Sequence, residues 1–208
     1  SAPARGKAPE LCQGCPHRKT FEVLKELRCI VSGDIGCYTL GALEPFSSMD
    51  IQLCMGASIG VGAGLRHVLP EPEARRVVSV IGDSTFLHSG LTGLVGLVYN
   101  RPPTGHVLLI LDNSTTAMTG LQEHAATGRT LAGEKADKVV LENIAAAIGA
   151  GTVDVVDPVS QPGRLKELLL AAINKSEISV IIVRRACLLA LRKEKQRERG
   201  GENGPPAA

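Results

Sequence analysis

Two stretches of sequence decide the fold: VVSVIGDS at residues 77–84 and VLLILDNS at residues 107–114. Each begins with a continuous apolar run of strand length and ends in polar residues, which is typical of a strand buried on both faces of a parallel sheet. Similar apolar runs occupy residues 29–32, 152–156 and 180–183, and helical patterns lie between the runs at residues 20–27, 57–68, 89–99, 141–148 and 163–174. This alternation predicts an α/β fold, a doubly wound, mostly parallel sheet with helices on both faces.

The length and composition indicate a single domain. The chain has 208 residues, of which 44% are hydrophobic and 21% charged, and a domain of this size can bury a core without disulfides. We expect the folded domain at residues 11–190, after a Pro/Ala/Lys linker at residues 1–10. Residues 191–208 contain the charged run RKEKQRER, at residues 192–199, and are expected to form a basic, disordered tail.

Charge and aromatic content argue against nucleic acid and membrane as partners. The formal net charge is +2, so no strong field attracts a polyanion or an anionic membrane surface. Three Phe, two Tyr and no Trp leave few rings for stacking bases. The apolar runs are too short for a transmembrane helix, and the N-terminal sequence lacks the apolar centre of a signal peptide. We therefore expect a cytoplasmic protein.

The segment GASIGVGAG, at residues 56–64, is rich in glycine. Its glycine spacing differs from the G-x-G-x-x-G of a dinucleotide-binding loop. We therefore interpret these glycines as positions where a helix packs closely against the sheet.

Polar residues follow two of the predicted strands and suit a metal ion. Asp83 comes after the run at residues 77–81, and Asn113 after the run at residues 107–111. Ligands of open parallel sheets bind beyond the C-terminal strand ends. A carboxylate, a carboxamide and a backbone carbonyl are ligands that suit Mg²⁺ together with substrate phosphate oxygens. Gly82 permits close approach of the backbone, and the amides from Ser84 onward favour an anion. Spacing alone leaves open the alternative that Asp83 and Asn113 only cap loops.

Four of the six cysteines suit a metal or a cluster. Cys12 and Cys15 form a C-x-x-C pair, Cys37 follows a predicted strand, and Cys187 follows the last one. Four thiolates suit either tetrahedral Zn²⁺ or an iron–sulfur cluster. A C-x-x-C pair is also typical of thioredoxin-type redox sites, although no strand directly precedes this one. Cys29 lies inside an apolar run and is expected to be a small buried hydrophobe.

Taken together, these segments resemble one protein family. The blocks LCQGCPHR (residues 11–18), GDIGCYTLG (33–41), CMGASIG (54–60), GDSTFLHSG (82–90) and LDNSTTAMTG (111–120) carry the resemblance. They are similar, in the same order, to the thiamine diphosphate (TPP)-binding domain of the indolepyruvate:ferredoxin oxidoreductase alpha subunit. That family belongs to the 2-oxoacid:ferredoxin oxidoreductases, and the similarity spans about residues 10–190. It implies the TPP diphosphate-binding type of α/β fold.

The resemblance also implies which residues hold the cofactors. Mg²⁺ is expected on the side chains of Asp83 and Asn113 and on the carbonyl of Thr115. A 4Fe–4S cluster is expected on Cys12, Cys15, Cys37 and Cys187. TPP is expected to contact Gly82, Asp83, Ser84, Asn113, Thr115, Thr119, Cys54 and Met55, with a packing role favoured for Cys54. We expect His17, His88 and His124 to be surface or hydrogen-bonded structural histidines without a catalytic role.

The implied activity is oxidative decarboxylation of an arylpyruvate such as indolepyruvate to an acyl-CoA, with ferredoxin as electron acceptor. The family's pyrimidine-binding domain, whose glutamate activates TPP, and its ferredoxin-like module do not occur in these 208 residues. We therefore assign no catalytic residue, and we expect a split-gene subunit or a fragment that requires a pyrimidine-binding domain and a beta subunit. The alternatives are another TPP-dependent 2-oxoacid ferredoxin oxidoreductase, a 2-oxoacid decarboxylase, which needs no cluster, and a zinc-stabilised α/β binding module.

Overall fold

One parallel sheet forms the centre of the molecule. The structure is a computed structural model that describes residues 9–201. Its strands follow the spatial order β2-β1-β3-β4-β6-β5, and every neighbouring pair is parallel. Their bounds are β1 (Ile30–Gly33), β2 (Ile51–Gln52), β3 (Val77–Gly82), β4 (His106–Asp112), β5 (Thr152–Val156) and β6 (Ile178–Arg184). The predicted fold is confirmed. The sequence does not predict β2, because a strand of two residues carries no periodicity.

Helices cover both faces of the sheet. Their bounds are α1 (His17–Glu26), α2 (Ala57–Val68), α3 (Glu71–Arg76), α4 (Asp83–Thr85), α5 (Leu91–Tyr99), α6 (Leu141–Ile148), α7 (Pro162–Asn174) and α8 (Leu188–Gly201). A 3₁₀-helix spans Cys37–Ala42, and a π-helical turn at Phe86–Gly90 joins α4 to α5. None of the described helices is long and apolar enough to cross a bilayer.

The core consists of two layers of buried side chains, one on each face of the sheet. Phe21 of α1 and Leu165 of α7 pack on one face with Val80 of β3. Ile59 of α2 and Leu94 of α5 pack on the other face. All six residues of β3 and all seven of β4 are buried. This double burial explains why these strands are continuously apolar rather than alternating.

The expected basic tail differs in the structure. Residues 191–201 continue α8 instead of forming a disordered segment. Lys, Arg, Glu and Gln are good helix formers, and α8 begins with Leu188 and Leu189, which line a cavity at the sheet edge. The apolar start thus anchors a helix that continues into the charged run. Residues 202–208, and residues 1–8 of the expected linker, lie outside the described residues.

The glycines of α2 do not all serve close packing. A Cβ on Gly62 would collide with the Ser79 hydroxyl of β3 and would lie 2.9 Å from Cε1 of His106 in β4. By contrast, a Cβ on Gly60 or Gly64 would meet nothing within 4 Å. The predicted close approach of helix and sheet therefore applies to Gly62, while Gly60 and Gly64 lie on the outer face of the helix.

Candidate functional site: two adjoining cavities at the carboxyl edge of the sheet

The ends of β3 and β4 bring Asp83 and Asn113 to one edge of the sheet. In the parallel register Gly82 lies opposite Leu111, so both strands end at the same level. The Ser114 backbone N–H donates to Oδ2 of Asp83 at 2.9 Å, and the Ser84 N–H donates to Oδ1 at 2.8 Å. The Thr115 N–H donates to Oδ1 of Asn113 at 3.1 Å. The two strand ends are thus joined by hydrogen bonds through the residues that the sequence singles out.

A cavity of about 100 Å³ lies over this edge. Seven of the eight residues predicted to contact TPP line it: Gly82, Asp83, Ser84, Asn113, Thr115, Thr119 and Met55. The eighth, Cys54, is exposed and is not among the described residues that line the cavity. Sites for small molecules usually enclose about 300–1,000 Å³. The cavity therefore has room for part of a cofactor rather than for all of it, and we call it the strand-end cavity.

The Asp83 carboxyl is held in an unusual electrostatic environment. Burial raises its pKa above the ordinary value, while the nearby His124 side chain and the Ser84 N–H act in the opposite direction. The His124 ring nitrogen Nε2 lies 3.3 Å from Oδ2 of Asp83. A buried carboxylate of this kind is costly unless a positive charge offsets the loss of hydration. A bound cation would supply that charge.

The loop after β4 holds a strained residue beside Asn113. Ser114 has φ of +58°, a left-handed conformation that is uncommon outside glycine. Its backbone N–H and its hydroxyl both contact Oδ1 of Asp112, at 3.1 and 3.3 Å. Arg184 of β6 in turn donates to Oδ2 of Asp112 at 2.6 Å. This network holds the turn in a conformation that directs the Ser114 N–H to Asp83, and such retained strain is typical of functional sites.

A second cavity, which we call the cysteine cavity, adjoins the first. It encloses about 320 Å³ and is lined by all four of the predicted cluster ligands, Cys12, Cys15, Cys37 and Cys187. Cys12 and Cys15 lie in the turn before α1, Cys37 begins the 3₁₀-helix, and Cys187 directly precedes α8. Three segments that are distant in sequence therefore bring the four cysteines to one cavity. Cys29 is half-buried against the core and is not among the described residues that line this cavity.

The thiols of the cysteine cavity influence one another. Burial is the largest cause that raises the pKa of Cys15, to about 11, and Cys12, Cys37 and Cys187 add to it. Burial and the neighbouring thiols also raise the pKa of Cys37. The Cys15 and Cys37 thiols therefore stay protonated near neutral pH unless a cation displaces their protons, as metal binding does.

The chemistry of each donor set fits a different inorganic group. Among the described residues, no three His, Cys, Asp or Glu side chains lie as close together as the ligands of a single metal ion do. The four cysteines around the cavity are, by ligand type, suited to either a zinc ion or an iron–sulfur cluster. The proposed Mg²⁺ ligands in the strand-end cavity include one carboxylate, that of Asp83. The other two donors are the Asn113 carboxamide and the Thr115 backbone carbonyl.

The two cavities share a wall. Cys37, Asn113 and Ala117 line both of them. The Cys187 N–H donates to the backbone carbonyl of Asn113 at 2.9 Å, so the segment after β6 is fixed to the end of β4. The candidate phosphate site and the candidate cluster site are therefore neighbours, and single residues of the shared wall face both of them.

Tyr38 is a site residue that the sequence does not reveal. Its hydroxyl accepts the Gly82 N–H at 3.0 Å and donates to the Ile35 carbonyl at 3.1 Å. The ring fills the space that the missing side chain of Gly82 leaves, because a Cβ there would lie 2.8 Å from Cε1 of Tyr38. Tyr38 thus fixes the start of the Gly82-Asp83-Ser84 turn. A lone tyrosine beside a cysteine carries no signal of this role.

Asp34 is a second such residue, and here a signal exists. It follows β1 as Asp83 follows β3, so the rule that strand ends carry site residues applies to it. The fully buried carboxylate accepts the Gly56 N–H at 2.9 and 2.8 Å, and the Ser58 N–H at 3.3 Å. It therefore holds the start of α2, where Gly56 has φ of +86°. Asp34 organises the loop that carries Met55 to the strand-end cavity.

The three histidines differ in burial. His88 is exposed, as expected for a surface histidine. His17 is only 4% exposed and lines the cysteine cavity, and burial lowers its pKa to about 4. The side chain of His124 is 9% exposed and lies against Asp83. Both buried histidines therefore contact the candidate site.

The chain is similar to known proteins over nearly its whole length. The chain is 39% identical over 203 residues to indolepyruvate oxidoreductase subunit IorA of Archaeoglobus fulgidus, and 40% identical over 212 residues to that of Pyrococcus abyssi. These alignments cover 95% and 96% of this chain but only 32% of each relative, so the chain spans about a third of their length. The predicted resemblance is confirmed.

Solved structures share the fold at low sequence identity. A 2-oxoglutarate:ferredoxin oxidoreductase from Magnetococcus marinus matches with a TM-score of 0.70 at 14% identity, covering 91% of this chain and 71% of that one. A thiamine diphosphate-dependent 4-hydroxybenzoylformate decarboxylase from Rhodococcus jostii matches with a TM-score of 0.60 at 18% identity, covering 87% and 34%. Residues 34–183 match the family described as thiamine pyrophosphate enzyme, C-terminal TPP binding domain. This chain therefore belongs to the thiamine pyrophosphate enzymes, as a TPP-binding domain.

Proposed function

We propose that this chain is the TPP-, Mg²⁺- and 4Fe–4S-binding part of a 2-oxoacid:ferredoxin oxidoreductase that acts on arylpyruvates such as indolepyruvate. The observation that carries the proposal is the shared wall between the strand-end cavity and the cysteine cavity. A decarboxylase of the same family needs no electron exit and hence no four cysteines beside its phosphate site. The names of the curated relatives support the arylpyruvate substrate.

The strand-end cavity supplies the residues for a metal-bound diphosphate. Asp83 and Asn113 would hold Mg²⁺ through their side chains and Thr115 through its carbonyl, leaving positions for phosphate oxygens and water. Ser84 lies at the start of the helical segment, where backbone amides favour an anion. Met55 and Thr119 complete the lining. These residues are proposed to bind and orient the cofactor.

The cysteine cavity supplies an exit for electrons. Cys12, Cys15, Cys37 and Cys187 would hold the cluster through their thiolates, each bound to one iron. When bound, TPP supplies the electron sink for decarboxylation and the cluster accepts electrons one at a time. The lining of this cavity includes the apolar side chains of Leu11 and Leu40.

Several parts of the proposal concern the whole enzyme rather than this chain. The domain is proposed to span residues 11–190, in a cytoplasmic enzyme. A pyrimidine-binding domain and a beta subunit would complete the site, and coenzyme A and ferredoxin would accept the products. The relatives' greater length supports such further parts.

Metal analysis of anaerobically purified protein tests the proposal. We expect iron and acid-labile sulfide in near-stoichiometric amounts, with iron lost in Cys12→Ser and Cys15→Ser but retained in Cys29→Ser, because Cys29 lies outside the cysteine cavity. Zinc in place of iron would contradict the electron exit and favour a zinc-stabilised binding module. Equal loss of iron in all three variants would show that the ligand assignment is wrong.

Calorimetric titration with Mg²⁺ and TPP tests the strand-end cavity separately. We expect Asp83→Ala to abolish binding, since it removes the only carboxylate among the proposed ligands. Asp154→Ala is the matched control, because Asp154 lies on β5, at the far edge of the sheet. Binding of wild-type affinity in Asp83→Ala would contradict the assignment of the diphosphate site.

A further inference from the structure

Two histidines with largely buried side chains contact the two side chains proposed as Mg²⁺ ligands. His124, in the loop after β4, lies 3.3 Å from Asp83. His17, the first residue of α1, lies 3.4 Å from Asn113. The two imidazoles come from different parts of the fold, and each contacts one member of the proposed ligand pair. The proposed function assigns neither of them a task.

The contacts of His124 fix where its proton lies. Its Nδ1 accepts the Ala126 backbone N–H at 3.3 Å, so Nδ1 carries no proton and Nε2 carries one. That Nε2–H faces Oδ2 of Asp83, the same oxygen that accepts the Ser114 N–H. The contact is close but not linear, and Nε2 has no aligned hydrogen-bond partner among the described atoms. A buried donor left in this state is costly, which points to a role at the carboxylate beside it.

The contacts of His17 require the opposite tautomer. The Thr115 N–H donates to Oδ1 of Asn113, so the amide nitrogen Nδ2 is the end that faces His17. An amide nitrogen can only donate, so the Nε2 atom of His17 accepts and its proton lies on Nδ1. His17 also contacts the Tyr38 ring edge-on, with centroids 6.1 Å apart, which restricts rotation of the imidazole.

We propose that His124 and His17, held in opposite tautomers, are positioning residues that orient the Asp83 carboxylate and the Asn113 carboxamide for Mg²⁺. A donor is matched to the carboxylate and an acceptor to the amide, so each imidazole fixes one end of its partner. If Asn113 rotated by half a turn, its nitrogen would take the place of the oxygen and could not bind a cation. This inference rests on the proposed function, since it concerns the same metal site.

The tautomers can be measured without any metal or cofactor. Ring ¹⁵N chemical shifts of the metal-free chain are expected to show the proton of His124 on Nε2 and that of His17 on Nδ1. The exposed His88 serves as a reference that averages between the two forms. Identical tautomers for His17 and His124, or averaging at either residue, would overturn the inference.

Titration with Mg²⁺ and TPP tests the consequence. Loss of an outer contact of this kind typically weakens metal affinity about 10–100-fold, and we expect this for His124→Leu and His17→Leu. His124→Gln keeps an N–H donor and His17→Gln keeps an acceptor, so both are expected to recover most of the affinity. His88→Leu is the matched control and is expected to bind as the wild type does. Thermal unfolding of each variant without ligand separates a loss of fold from a loss of orientation.

The outcomes distinguish this inference from the proposed function. If the wild-type chain does not bind Mg²⁺ and TPP, or if Asp83→Ala binds as well as the wild type, both fail. If Asp83→Ala loses binding while folded Leu variants of His17 and His124 bind as the wild type does, the positioning role alone fails. Equal weakening by the Leu and Gln variants would show that the imidazoles only fill space.

Discussion

Replacing Tyr38 by Phe is expected to destabilise the fold although the change removes a single oxygen atom. The Tyr38 hydroxyl is the acceptor for the Gly82 N–H at 3.0 Å, and it donates to the Ile35 carbonyl at 3.1 Å. The residue is 5% exposed, so water cannot replace these contacts. Phe keeps the ring and its packing. The variant therefore isolates the two hydrogen bonds at the start of the Gly82-Asp83-Ser84 turn.

The size of the expected destabilisation follows from the Gly82 N–H, which loses its acceptor in Tyr38→Phe. A buried donor left without an acceptor costs about 1–3 kcal/mol. For a domain of this size 1 kcal/mol lowers the melting temperature by about 2–4 °C, so we expect a decrease of about 2–12 °C. Tyr99→Phe is the matched control: Tyr99 is 86% exposed, and surface substitutions usually change stability by less than about 0.5 kcal/mol.

Thermal unfolding followed by circular dichroism measures both variants, and alkaline pH adds a second readout. The pKa of Tyr38 is raised far above the ordinary value of a tyrosine, and burial is the largest cause of this shift. The folded chain therefore keeps this proton where the unfolded chain loses it, so the contribution is complete below pH of about 10 and is lost as pH rises further. Tyr38→Phe should remove that alkaline loss. Equal melting temperatures for the two Phe variants, or an unchanged alkaline limb, would refute the reasoning.

Two further predictions concern the packing of α2. Gly62→Ala is expected to lower the free energy of unfolding by about 1–3 kcal/mol, because its Cβ would collide with Ser79. Gly64→Ala should raise the free energy of unfolding by up to about 1 kcal/mol through helix propensity, because its Cβ meets nothing. Urea unfolding measures both variants, and a gain in stability in both would contradict the geometry. His106 is fully buried, and burial and Arg66 lower its pKa well below the ordinary value, so stability should fall as pH drops below about 6.5. This acid slope should flatten in His106→Gln, and an unchanged slope would argue against the assignment.

The sequence predicts the strands of this fold more reliably than its connections. The apolar runs of β3 and β4 are recognisable because both faces are covered, and β5 has the predicted bounds. The charged part of α8 has no apolar stripe, so composition favours a tail there. Its helix depends on the apolar start beside the cysteine cavity, a tertiary contact that no local pattern contains.

Within the candidate site, the sequence identifies residues that act through strand position. Asp83 and Asn113 meet because parallel strands end at one edge, and that rule is local enough to apply to a sequence. Tyr38 and His124 act through contacts that the loops make after folding. Nothing in the spacing of such residues reveals them, because a loop residue's partner depends on the path of the chain.

Asn113 ties the two cavities together through three different atoms. Its backbone carbonyl accepts the Cys187 N–H, its Oδ1 accepts the Thr115 N–H, and its Nδ2 contacts His17. The backbone N–H of His17 in turn donates to the Cys15 sulfur. A shift of either cysteine-bearing segment therefore acts on the same residue that we propose as a metal ligand. The proposed electron-exit site and phosphate site can adjoin here because the residue at the end of one buried strand, Asn113, lines both cavities.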